Sequence, residues 1–245
     1  MICFGGLVIA DIGDLLTDRY KKYTLVQSWC QGSFILNGME TKKPHSVQGR
    51  PRAFDIDEAL EQALQIFWRK GYLGTSLTDL TEAMGINRPS LYATFGNKEN
   101  LFRKALDRYR ERQTAYLREA LSESTARRVI ERMMLGVVDL VTNPCNPSGC
   151  LYAQSLHSCV DPDNPLHQEL AERRISGEAA IRDRFERAVS EGDLPSDTDP
   201  AALARFVVTV NFGMSVQAAS GASRAELLEV VQMALRACSA IKRGN

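Results

Sequence analysis

The sequence predicts an all-α chain, with an N-terminal three-helix helix-turn-helix domain followed by a larger helical domain. Three observations carry this. Between Phe54 and Phe102 the run FDIDEALEQALQIFWRKGYLGTSLTDLTEAMGINRPSLYATFGNKENLF contains three short helical patterns, with a tight turn between the second and third. Beyond it, apolar residues keep recurring at helical spacing between Gly and Pro breakers, and no strand pattern of useful length intervenes. Finally, 245 residues that are 44% apolar and 24% charged have the size and balance to bury real cores.

The first helix is expected over about 55–70. Ile56, Leu60, Ala63, Leu64 and Phe67 form one apolar face, Asp55 and Glu58 offer a capping box, and Gly71 offers a left-handed stop. The second starts after Ser76 with Asp79 three residues on, and sets Leu77, Leu80 and Met84 on one face. Gly85 closes it, Ile86 plugs the turn, and Asn87 caps a third helix whose Leu91 and Phe95 point inward. Pro89 fits the first helical turn, where a missing amide costs nothing. Arg88, Pro89, Ser90, Tyr92, Ala93 and Thr94 are left outward or at the front end, the part of a helix-turn-helix that enters the DNA major groove.

The segment TSLTDLTEAMGINRPSLYATFGNKENLF resembles the DNA-binding signature of the TetR family of bacterial transcriptional regulators, and the LYATFGNKENLF tail makes the likeness specific. The resemblance implies a homodimer in which a small DNA-binding domain is joined through a fourth helix to a domain that binds a small molecule. Carried over by position, Arg88, Pro89, Ser90 and Thr94 would face base edges, while Thr78, Tyr92 and Lys98 would hold phosphates. Lys98 stands at a helix start, where its charge and free amides can both meet a phosphate. The expected partner is a double-stranded operator, with repression the commoner outcome in the family.

Thirty basic and thirty acidic residues cancel, so the basic charge that DNA requires is local. Lys42, Lys43, Arg50 and Arg52 precede the first helix without an intervening acid, which suggests an arm for phosphates or the minor groove, with Arg50 and Arg52 as its contacts. Upstream, MICFGGLVIADIGDLL has no basic opening, and Asp11 and Asp14 interrupt it, so neither a signal peptide nor a membrane span is expected. Met39 opens a polar, basic stretch and is the expected native start, which would make residues 1–38 a start-site artefact or a disordered extension. The expected division is extension 1–48, DNA-binding domain 49–97 and regulatory domain 98–245, in a cytoplasmic protein without a membrane span.

The fourth helix is expected from Asn97 to about Leu121, with Leu101, Phe102, Ala105 and Tyr109 inward. Ala126–Val141 carries a wide apolar face that ends at NPCNPSG, and a short helix over 150–157 follows. Asn164 and Pro165 start a long helix that Gly192 ends, Asp199 and Pro200 start one over 201–219, and Ser223 with Glu226 boxes the last. FVVTVNFGMSV is apolar nearly all round, so the last two helices are expected to find their cover in a second copy of the chain. The resemblance implies that these two helices and their symmetry mates form a four-helix bundle.

By the same resemblance the effector pocket would lie among helices 4 to 7, with Met133, Val137, Leu151, Tyr152 and Phe185 as candidate lining residues. No P-loop, GxSxG or HExxH motif is present, and three histidines make no metal site, so neither enzymatic activity nor a cofactor is expected. Cys145, Cys150 and Cys159 cluster before residue 160, and the alternative reading is a thiol-based redox or electrophile sensor that uses a pair of them.

Overall fold

Most of the described helices begin where a side chain accepts the amides that the first turn leaves open, and several end where glycine takes a left-handed conformation. The computed structural model describes residues 54–113, 115–158 and 165–240. The N-terminal segment with Met39, Arg50 and Arg52, and also Cys159, lie outside the described residues. Among the described residues there is no strand.

In α1 (Ile56–Gly74), Asp55 accepts from the amides of Asp57 and Glu58, and Gly71 breaks the helical run at φ 67° before a short resumption. Helix α2 (Leu77–Met84) has the expected capping box between Ser76 and Asp79, and Gly85 closes it at φ 64°. Asn87 caps α3 (Arg88–Phe95) by accepting from the Ser90 amide at 2.8 Å. Asn97 does the same for α4 (Lys98–Gln113), which is followed by α5 (Ala115–Leu121). Both cover the segment where one fourth helix was expected, with residue 114 outside the described residues. Then come α6 (Ala126–Val141), α7 (Leu151–Ser158), α8 (Pro165–Ser190), α9 (Pro200–Ala219) and α10 (Arg224–Ala240). Asp199 caps α9, and the Ser223–Glu226 box precedes α10.

Helix α1 packs on α2, α4 and α7, while α6 is the central helix of the second part, covered by α5, α9 and α10. Leu91, Phe95, Leu101, Phe102, Ala105 and Tyr109 are buried as expected. The buried face of α1 differs from the expected one: Ala59 and Trp68 join Ala63, Leu64 and Phe67, whereas Ile56 and Leu60 are only partly covered. The reason is that α1 is clasped from two sides. The Trp68 ring is fully buried edge-on to Tyr109 at 4.8 Å, and its indole donates to the Gly149 carbonyl at 3.1 Å, ahead of α7.

Helix α4 is tied on both flanks. Toward α1, the buried Arg108 pairs with Asp57 and Glu61, each at 3.0 Å, and Arg112 also reaches Glu61. Toward α8, Arg103 pairs with Glu169, and Arg173 pairs with Asp107 at 2.7 Å. Farther along, Gly136 in the middle of α6 lies beneath the Tyr116 ring of α5, where an added Cβ would come within 2.1 Å of the ring.

Helix α9 is, among the described residues, the one long and apolar enough to cross a membrane by length and composition alone. In the fold it packs on α8 and α6. Phe206 and Val216 on α9, and Val230 and Met233 on α10, remain exposed.

Candidate nucleic-acid interface

The front of α3 separates cleanly into a core side and a solvent side. Leu91 and Phe95 anchor the helix inward, four residues apart, which leaves Arg88, Pro89, Tyr92 and Ala93 exposed. Tyr92 is 47% exposed although it is a large aromatic, so it is no part of the core. Ser90 and Thr94 are half-buried and, with Ala93, line one wall of an open cleft of about 880 Å³ whose other walls come from α1 and α4. The cleft carries charges of both signs, with Asp57, Asp107 and Glu111 near Lys104, Arg108 and Arg112.

Two of the basic side chains are already held in place. Arg88 Nη2 donates to the Thr78 hydroxyl on α2 at 3.0 Å, bridging the two helices of the helix-turn-helix across the turn. The Lys98 ammonium sits 4.4 Å from the centre of the Tyr72 ring, a cation–π contact that sequence periodicity did not point to. Tyr72 is itself wedged between Phe67 and Phe102. Partial burial lowers the Lys98 pKa below the ordinary lysine value, and the negative charge of Asp79 opposes that shift. Asp79 also pairs with Lys70 at 2.6 Å, and this contact, with the hydrogen bonds from Ser76, holds its carboxyl far below the usual carboxylate range. At the start of α2 the ionised Asp79 is thus balanced by Lys70, while Thr78 and Arg88 remain exposed.

The structure brings Thr78 and Arg88 together and places Pro89 and Tyr92 on α3 and Lys98 at the start of α4, with Ser90 and Thr94 on the cleft wall. The candidate effector residues lie far along the chain in the core. Met133, Val137, Leu151 and Phe185 are buried side chains of α6, α7 and α8, and Tyr152 is partly buried with its ring 5.8 Å from Tyr109. Burial raises the hydroxyl pKa of Tyr152, and hydrogen bonding from Arg173 opposes it. Cys145 is disulfide-bonded, whereas Cys150 is a free thiol that accepts a hydrogen bond from the Tyr109 hydroxyl at 3.2 Å. No group of three or more His, Cys, Asp or Glu suited to a metal occurs among the described residues.

Comparison with known proteins finds matches to two stretches of the chain. Residues 59–105 match the family of bacterial regulatory proteins named for tetR, and residues 126–234 match the tetracyclin repressor-like C-terminal domain. The HTH-type transcriptional repressor ComR of Escherichia coli K12 is 33% identical over 191 residues, covering 77% of this chain and 91% of ComR. The repressor BdcR of the same strain is 28% identical, covering 83% of this chain and 98% of BdcR. A structure of the TetR family regulator CifR, as a cysteine mutant with 26-bp double-strand operator DNA, is 42% identical. It covers 77% of this chain and 99% of its own, with a TM-score of 0.73. With a helix-turn-helix whose core and solvent sides are those of a DNA reader, and with both parts of the chain matched, this protein belongs to the TetR family of bacterial transcriptional regulators.

Proposed function

We propose that this protein is a ligand-responsive transcriptional repressor that binds a near-palindromic operator as a homodimer and is released by a small molecule. The observation that carries the reading is the solvent-facing front of α3, where Arg88 and Tyr92 stand clear of the core that Leu91 and Phe95 anchor, with the half-buried Lys98 at the start of α4. In this reading residues 49–97 form the DNA-binding domain and 98–245 the regulatory and dimerisation domain, and the protein acts in the cytoplasm without enzymatic activity. The names of ComR and BdcR as repressors, and the operator complex of CifR, support it.

Dimerisation is assigned to α9 and α10, supported by Phe206, Val216, Val230 and Met233, which leave apolar surface that a second copy can cover. The effector is assigned to the interior among α4 to α8, near Met133, Val137, Leu151, Tyr152 and Phe185. Release then follows from a two-state equilibrium: a ligand that binds better to a dimer with wrongly spaced recognition helices draws the population away from DNA. Helix α4 is the lever, supported by its ion pairs to α1 on one flank and to α8 on the other.

The test is a gel shift and footprint on DNA flanking the gene, with a salt series. A protected near-palindrome bound by two protomers with a steep salt slope is expected. Weak binding indifferent to sequence, there and in a genome-wide selection, would defeat the reading. With the operator known, Arg88→Ala is expected to cost about 1–3 kcal/mol at one base position and to relax preference there. Tyr92→Ala and Lys98→Ala should instead weaken specific and random DNA alike. Equal losses on both DNAs for Arg88→Ala would remove its base-reading role.

The lowered pKa of Lys98 has a signed consequence. Its ammonium is charged below the depressed value and lost above it, and a phosphate contact favours the charged form, so binding takes up protons as that value is crossed. Operator affinity is therefore expected to fall with rising pH in the alkaline range below ordinary lysine titration. Lys98→Arg, which stays charged, should flatten that decline in a fluorescence-anisotropy titration. An unchanged profile would mean that Lys98 does not touch a phosphate.

A further inference from the structure

We infer that Thr78 is a positioning residue for Arg88, so that base reading on α3 depends on a hydroxyl from α2; the inference rests on the base-reading role proposed for Arg88. The family likeness gives Thr78 a phosphate contact alone. The structure gives its hydroxyl a different neighbour, because Arg88 Nη2 donates to it at 3.0 Å from ten residues away.

The geometry of the bond determines what it does. A hydroxyl has one proton and two lone pairs. With Arg88 on a lone pair, the Thr78 proton remains free to donate, and a DNA phosphate is a suitable acceptor. One oxygen then joins a backbone contact to a base reader. A chain of this kind is cooperative, since each hydrogen bond polarises the next.

Arg88 gains the more from this arrangement. Both residues are exposed, and a free arginine side chain samples many rotamers that are lost when it is fixed against a base. A guanidinium with five N–H donors can commit one to Thr78 and keep the others for a guanine edge. Part of the ordering is thus complete before DNA arrives. Pro89 stiffens the same turn, and Asn87 caps it, so the backbone beneath Arg88 is fixed too.

The test uses the full chain and the operator from the footprint, with anisotropy titrations on the operator, on operators changed at the base that Arg88→Ala identifies, and on random DNA. Thr78→Val keeps the shape and removes the acceptor, and Thr78→Ser restores it. Circular dichroism melts confirm that each variant folds. Thr78→Val should lower the preference for that base about 5- to 10-fold, Thr78→Ser should recover it, and in an Arg88→Ala background Thr78→Val should leave preference unchanged. A Thr78→Val loss equal on operator and random DNA would reduce Thr78 to a phosphate contact and overturn the inference. So would full retention of base preference, or an Arg88→Ala variant that still discriminates. In each of those cases the wild-type footprint stands, which separates failure of the inference from failure of the repressor reading.

Discussion

Trp68→Ala is expected to destabilise the protein by about 3–5 kcal/mol, the ordinary cost of emptying a large aromatic site. The indole is fully buried, so its removal forfeits apolar burial and leaves a cavity. It also strips the Gly149 carbonyl of its donor and Tyr109 of its edge-to-face partner. Urea denaturation followed by circular dichroism, at one fixed protein concentration because dimerisation contributes to apparent stability, reads the change as a lower midpoint. Trp68→Phe keeps one ring but loses the donor and part of the buried volume, so its cost should be smaller, about 2–3 kcal/mol. A Trp68→Ala variant within 1 kcal/mol of the parent would show that the site collapses around the gap, and that Trp68 does not pin α1 to the residues before α7.

Gly136→Ala has two opposing contributions. In a helix interior alanine is favoured over glycine by about 1 kcal/mol. Against that, the new methyl would lie 2.1 Å from a Tyr116 ring carbon, far inside contact distance, and the ring must leave its seat. Overpacking of this kind typically costs about 1–3 kcal/mol, and a displaced tyrosine belongs at the upper end. The steric effect should prevail, with a net loss of about 1–2 kcal/mol, seen as a melting temperature lower by roughly 2–8 °C. A double-mutant cycle sharpens the test. With Tyr116→Ala already in place, Gly136→Ala should become neutral or stabilising, since the propensity effect then acts alone. If its cost were the same in both backgrounds, the clash would not be its cause.

The helix-turn-helix is the part of this fold most legible in the sequence, because its elements are set by local chemistry. Ser76, Asp79, Gly85, Asn87 and Pro89 act within four residues of where they stand, and the structure realises each of them. The starts of α9 and α10 are legible for the same reason. What escaped lies between distant residues. Trp68 and Gly149 are 81 positions apart, so a periodicity count on α1 alone found the face toward α2 and α4 and missed the one toward α7. The seat of Tyr116 on Gly136 is hidden likewise, since a glycine inside a helical pattern reads only as a mild penalty until the ring above it is known.

The candidate site divides in the same way. That Arg88 and Tyr92 face outward follows from Leu91 and Phe95 facing inward. That Arg88 rests on Thr78, and Lys98 on Tyr72, depends on how two helices meet, and no spacing rule announces it. The apolar residues Met133, Val137, Leu151 and Phe185 show the limit most plainly: a residue that lines a pocket and one that fills a core have the same pattern, and here they lie together in the buried interior.

Trp68 has one more consequence. Its indole is a fluorophore placed where α1, Tyr109 and the Gly149 carbonyl meet, shielded from water. The chain contains one other tryptophan, Trp29, so replacing it leaves a single emitter at the joint between the helix-turn-helix and the rest of the chain. Any compound that loosens that joint would wet the ring and redden its emission, which lets inducers be sought by light before a single operator is known.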